Sequence, residues 1–395
     1  MIAWPPCHPI RVWGPWMLLL ALGACGGDGR TNPVDIAEIT LEPQTVVMRE
    51  PGQSSQLAVT ALDSDGNPVA NPPLNWTSSD TDVVTVNGTG RVTAQGFGST
   101  EVTAASGTVS DKVTVSVRGF DITLTYVTTL TDSQRDAFEA ARNRWESIIV
   151  GDLTDVNEDL DANQCGPNPA TQGPFDDVTI FVEVDTIDGP GGTLGQAGPC
   201  FVRVPGDLTV IGRMEFDEED MQIIEDEGLL DEVVLHEMGH VLGFGTLWGP
   251  DGFDLLRNPS QPDPDPPLTD TYFAGPRAIA AFNAAGGDDY SGAKVPVMNE
   301  GAEGTVNSHW RDAVFVNELM TGFINSGANP LSAISVAAMG DITYTVSNEG
   351  ADPYTISPAL RVAGPRRGRQ MVNDIIKDPI RRIDVNGRIV GVIRR

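Results

Sequence analysis

Histidine is nearly absent from this sequence. In 395 residues there are four: His8, His236, His240 and His309. A chain that places histidine so sparingly is not using it as surface filler. Positive charge is scarce as well, with 25 lysines and arginines against 55 aspartates and glutamates and a formal net charge of -30. That balance favours solubility and excludes nucleic acid as a partner, since a phosphate backbone would be repelled. Cysteine is limited to Cys7, Cys25, Cys165 and Cys200. The apolar run from Trp16 to Cys25 falls far short of the roughly 20 residues a helix needs to cross a bilayer.

That run follows a single charged residue, Arg11, and reads as the apolar part of an export signal. Leu22-Gly23-Ala24-Cys25 is similar to a bacterial lipobox. It implies cleavage after residue 24 and lipidation of Cys25, with Gly26, Gly27, Asp28 and Gly29 as the start of a flexible tether. An ordinary secretory signal cut after Ala24 is the alternative. Either way the chain is expected to be exported, as an outer-membrane or cell-surface lipoprotein or otherwise as a periplasmic or extracellular protein. Once Cys7 is removed and Cys25 lipidated, Cys165 and Cys200 remain, a natural disulfide in an oxidising compartment.

The chemistry centres on His236-Glu237-Met238-Gly239-His240. Histidines at i and i+4 stack one turn apart on a helix, and Leu229, Leu230, Val233, Val234, Met238, Val241 and Leu242 supply its apolar face. Gly243 suits the stop after the last turn. This is the His-Glu-x-x-His pattern, in which two histidines bind zinc and Glu237 serves as general base. A catalytic zinc takes three protein ligands. The short spacing to a third histidine is ruled out, because position 246 is Thr246. His309 is the remaining histidine outside the leader, and Glu318 or another carboxylate stands as the rival third ligand. Met320, downstream of His309, falls where a Met-turn would place a hydrophobic floor under the metal.

With His236 to Trp248, Ser308-His309-Trp310, Glu318-Leu319-Met320-Thr321-Gly322 and the upstream Ile187 to Cys200, the sequence resembles the leishmanolysin-like zinc metallopeptidases over roughly residues 120 to 345. The resemblance implies a metzincin fold, one Zn²⁺ per chain and endopeptidase activity on protein or peptide substrates. It also implies an edge strand that pairs with the extended substrate, a task assigned to Leu208 to Phe216. The parasite members carry a propeptide cysteine that blocks zinc, and no free counterpart stands out here.

The expected fold class is multidomain, an N-terminal all-β Ig-like sandwich followed by an α+β metzincin zinc-peptidase domain. Residues 1–24 are the signal peptide and 25–33 the tether. Residues 34–118 alternate like short strands, with turns at Asp65-Gly66-Asn67-Pro68 and Asn87-Gly88. Trp76 to Val86 and Gly90 to Ala94 resemble a bacterial Ig-like domain of the group 2 type, with Trp76 as its core anchor. Residues 119–345 form the peptidase domain, in which Thr131-Asp132-Ser133-Gln134 starts a helix. Residues 346–395 are a basic tail. From Glu349 it carries ten Lys or Arg against five Asp or Glu, and Asn386-Gly387 signals a β-hairpin. Three fates for the tail stand open: docking on the acidic body, contact with anionic lipid, or a disordered end. A catalytically silent surface adhesion protein is the rival to the enzyme. Neither reading fixes the oligomeric state.

Overall fold

The structure is a computed structural model that describes residues 36–262, 270–288, 292–302, 304–356 and 368–394. Cys25, the signal peptide and the tether lie outside the described residues. Among the described residues, no helix is long and apolar enough to cross a membrane.

The N-terminal region is all β. A four-stranded sheet orders Thr45–Met48, Val109–Val117, Gly98–Ser106 and Asn75–Ser78, and a three-stranded sheet orders Ser54–Gln56, Arg91–Ala94 and Val84–Val86. Alternating residues such as Leu41, Val84, Val92, Val102, Val113 and Val115 are buried in a common core, as the period of two requires. Trp76 corrects the expectation. It is only partly buried against that core, because Asn75–Ser78 is the outermost strand of its sheet. Its ring lies so close to Gly90 that a Cβ there would overlap it.

The second region is built on a six-stranded sheet. Its strands are β1 (Ile122–Tyr126), β2 (Val178–Asp185), β3 (Gly195–Arg203), β4 (Thr209–Asp217), β5 (Ile380–Ile383) and β6 (Ile389–Ile393), ordered β1-β2-β4-β3-β5-β6. β1, β2 and β4 are parallel, and β3 runs antiparallel to β4. Helix α1 (Asp132–Ile148) opens with a capping box between Thr131 and Gln134 and buries Phe138, Ala141, Trp145 and Ile148. Helix α2 (Glu218–Asp226) leads into helix α3 (Leu230–Val241). Trp145 Nε1 donates to Leu235 O at 3.0 Å, tying α1 to α3.

Two findings change the expected layout. Leu208 to Phe216 does form a strand, β4, but β4 is flanked by β2 and β3, so it has no free edge to offer a substrate. On its side away from β4, β3 is paired with β5 at Phe201–Arg203 and bridged to Ile375 at Ala197. The tail, for its part, docks on the body. β5 pairs parallel with β3, and β5 and β6 form an antiparallel hairpin with Gly387 at φ 72°. Arg382 meets Asp207 through two 2.8 Å hydrogen bonds, and Arg369 meets Glu227.

Candidate metal centre

Helix α3 is buried along most of its length. Leu230, Val233, Val234, Met238 and Val241 join the core cluster, a close approach that small residues permit. A Cβ on Gly212 of β4 would overlap Val241, and a Cβ on Gly239 would sit 3.0 Å from both Met320 Cε and Trp145 Cζ2. The helix ends at Gly243, φ 114°, and Thr246 Oγ1 donates to His240 O at 2.8 Å. Gly245 has φ 72° and passes beneath Ser308, whose carbonyl would clash with any Cβ. That close crossing brings the His309 loop onto the end of the helix.

The three imidazoles meet at one point. The Nε2 atoms of His236, His240 and His309 lie 3.0 to 3.1 Å from one another, and all three residues are fully buried. Each Nδ1 faces a backbone carbonyl: Leu319 O at 2.7 Å, Phe244 O at 2.8 Å and Thr305 O at 2.9 Å. A carbonyl only accepts, so each Nδ1 carries the proton and each Nε2 presents a lone pair. Three lone pairs pointed together cannot hydrogen-bond one another. Ligands about 2.0–2.1 Å from a zinc ion stand roughly 3.3 Å apart in a tetrahedron, close to the spacing seen. The residues therefore fit a zinc ion, and the backbone carbonyls behind them are the partners that orient metal-binding histidines.

Met320 is buried beneath the helix at Gly239. Its loop is fixed by Glu318, whose carboxylate accepts from Met320 N at 2.6 Å, Ser332 N at 3.1 Å and Ser332 Oγ at 2.7 Å, and from Ser335 Oγ. Burial raises the Glu318 pKa, and these donors pull it back. With four donors already engaged, Glu318 is a brace for the loop rather than a third ligand. Cys165 and Cys200 are joined in a disulfide, Cα–Cα 5.6 Å, at the point where the pairing of β3 with β4 slips between Pro199 and Phe201.

Glu237 is buried, and among the described residues both its carboxylate oxygens lack a partner. Burial, and then the charge of Asp374, hold its pKa well above the usual carboxylate range. Asp374 is the residue the sequence did not reveal. Its Oδ2 lies 2.8 Å from His309 Nε2, 3.5 Å from His236 Nε2 and 3.8 Å from His240 Nε2, also fully buried. Burial lowers the pKa of His236 and, further, of His240. At His309 burial acts the same way, but the charge of Asp374 outweighs it and the pKa rises.

The donor set is thus three lone pairs and the Asp374 carboxylate in a dry pocket. Leaving such charge uncompensated costs several kcal/mol per ion. A structural zinc site in small peptides contributes about 10–16 kcal/mol, ample to offset it.

The region that holds the three histidines falls within a family match. The family model for the bacterial Ig-like domain (group 2) matches residues 35–117, and that for leishmanolysin matches residues 153–352, about half the chain. No curated protein matches the chain. Among solved structures, domains 4 and 5 of the S-layer protein SbsC are 30% identical over 21% of this chain and 51% of that one, with a TM-score of 0.19. The EHEC O157:H7 intimin mutant is 18% identical over 21% and 47%, TM-score 0.16, and Yersinia pseudotuberculosis adhesin InvE 17% identical over 22% and 28%, TM-score 0.16. The chain spans about half the length of these structures or less. The chain belongs to the leishmanolysin family of metallopeptidases and carries an Ig-like domain of the bacterial group 2 type ahead of its peptidase domain.

Proposed function

We propose that this chain is an exported zinc endopeptidase that hydrolyses peptide bonds of proteins, with His236, His240 and His309 as ligands and Glu237 as general base. The observation that carries this reading is the convergence of three Nε2 lone pairs beside a buried, uncommitted Glu237 carboxylate. Zinc held there supplies Lewis-acid polarisation of the scissile carbonyl and raises the acidity of the attacking water. Glu237 takes the proton from that water and delivers it to the leaving amine. The edge of β3 at Ala197, whose N–H and C=O here bond Asp374 O and Ile376 N, is the edge an extended substrate would use in their place. Met320 packs below the ligands and holds the helix in place. The Ig-like region serves as a spacer, and Cys25 as the lipid anchor to the membrane.

The silent-adhesion reading loses support because Glu237, the residue such a site has no use for, is present and unpaired. The test is chelator-sensitive hydrolysis of casein by the full chain and by Glu237→Gln. A positioned base contributes about 10²–10⁴-fold, so Glu237→Gln should lose at least 100-fold with its zinc retained. Measurable, chelator-sensitive hydrolysis that is equal in the two would refute the assignment.

A further inference from the structure

An endopeptidase cleft must admit a chain, yet His236, Glu237, His240 and His309 are each 0% exposed. The cover is a stretch of the tail. Strand Gly368–Gln370 pairs antiparallel with Phe323–Asn325, immediately after the Met320 loop. Met371 N then donates to Gly322 O at 3.0 Å, and Met371 O accepts from Thr305 Oγ1 at 2.8 Å. Ala197 N donates to Asp374 O at 2.7 Å, and Ile376 N donates to Ala197 O at 3.0 Å. These are the bonds an extended peptide makes with an edge strand. Met371, Asp374, Ile375 and Ile376 are all buried.

We propose that Met371–Ile376 is a built-in occupant of the peptide cleft and that Asp374 is the fourth ligand of the zinc, holding the peptidase latent until the segment withdraws. This rests on the zinc-peptidase reading above. The Asp374 Oδ2 lies 2.8 to 3.8 Å from the three histidine Nε2 atoms, and the four residues form one buried group that could hold a metal ion. A fully buried carboxylate in that position needs a cation. The segment is also not a substrate. The Asp374 carbonyl is committed to Ala197 N, so a side chain rather than a scissile carbonyl reaches the metal position. Its course parallel to β3 continues into β5.

Two further observations fit an occupant that can leave. A cavity of about 470 Å³ lies beside the segment, lined among others by Thr246, Ser308, Ile375 and Lys377. The flanking anchors, Arg369 with Glu227 and Arg382 with Asp207, are partly exposed ion pairs, which salt weakens. The leishmanolysin match ends at residue 352, so the segment lies beyond the part of the chain shared with that family.

The test uses the full chain loaded with cobalt, alongside Asp374→Ala and Ile376→Pro. The second variant removes the N–H donated to Ala197 without altering any group that faces the metal, and it keeps the question answerable where Asp374→Ala fails to fold. Asp374→Ala should shift the cobalt visible absorption. Both variants should lose metal to a chelator at least 10-fold faster and cleave a quenched fluorescent peptide at least 10-fold faster, with the gain abolished by adding Glu237→Gln. Metal bound with the same spectrum, chelation rate and cleavage in all three chains would overturn the occupant while leaving the zinc site standing. Failure of every chain to bind cobalt or zinc would overturn both.

Discussion

Helix α3 and the tail deliver groups to the same point by opposite means. His236 and His240 lie one turn apart on a single helix, so their meeting is a property of local geometry. Asp374 arrives from the other end of the chain through β-pairing, with Ala197 bonding to the Asp374 carbonyl and to the Ile376 N–H. The difference teaches that a metal site is written in short-range periodicity only as far as one element extends. Whatever closes the site is written in register, which a sequence does not display.

The sharpest way to break the comparison is to remove the ligand that lies between the two cases. His309→Ala should abolish zinc retention during dialysis, with affinity falling by more than the roughly 10–100-fold that follows loss of a hydrogen-bond partner behind a ligand. Zinc content by mass spectrometry reads this directly. Normal zinc in that variant would return the third position to another group. Glu318→Gln should do the reverse. It keeps zinc but replaces an acceptor oxygen among buried donors, for a loss of about 1–3 kcal/mol in denaturant unfolding. Zinc loss there would restore Glu318 as a ligand. The smallest effect belongs to the tail surface. Arg382→Ala removes a partly exposed pair with Asp207, worth up to about 1 kcal/mol and less at high salt.

Much of the site was legible because few residues compete for it. Four histidines leave little choice of ligands, and the apolar face around His236 and His240 demands a helix. Residues that depend on tertiary placement were not legible. Asp374 sits between Asn373 and Ile375 in a basic tail, with no spacing rule linking it to α3. β3 was missed for a similar reason: Gly195, Gly198 and Pro199 give it weak strand propensity, and its pairing with β4 makes it a strand. The more β-like Leu208 to Phe216 drew the edge assignment and turned out to be interior. Trp76 was named the core anchor of the Ig-like domain, and it packs against that core only partly buried, at the border of its sheet. The hairpin at Asn386-Gly387 was readable from its turn residues, while the partner it adds to, β3, was not.

The most direct test of the three-histidine site is the metal content of the full chain after purification without added metal, measured by native mass spectrometry. The geometry predicts one zinc per chain, removable by a chelator and restored by zinc alone. A chain that folds with the same protease resistance but neither retains nor takes up zinc would contradict it.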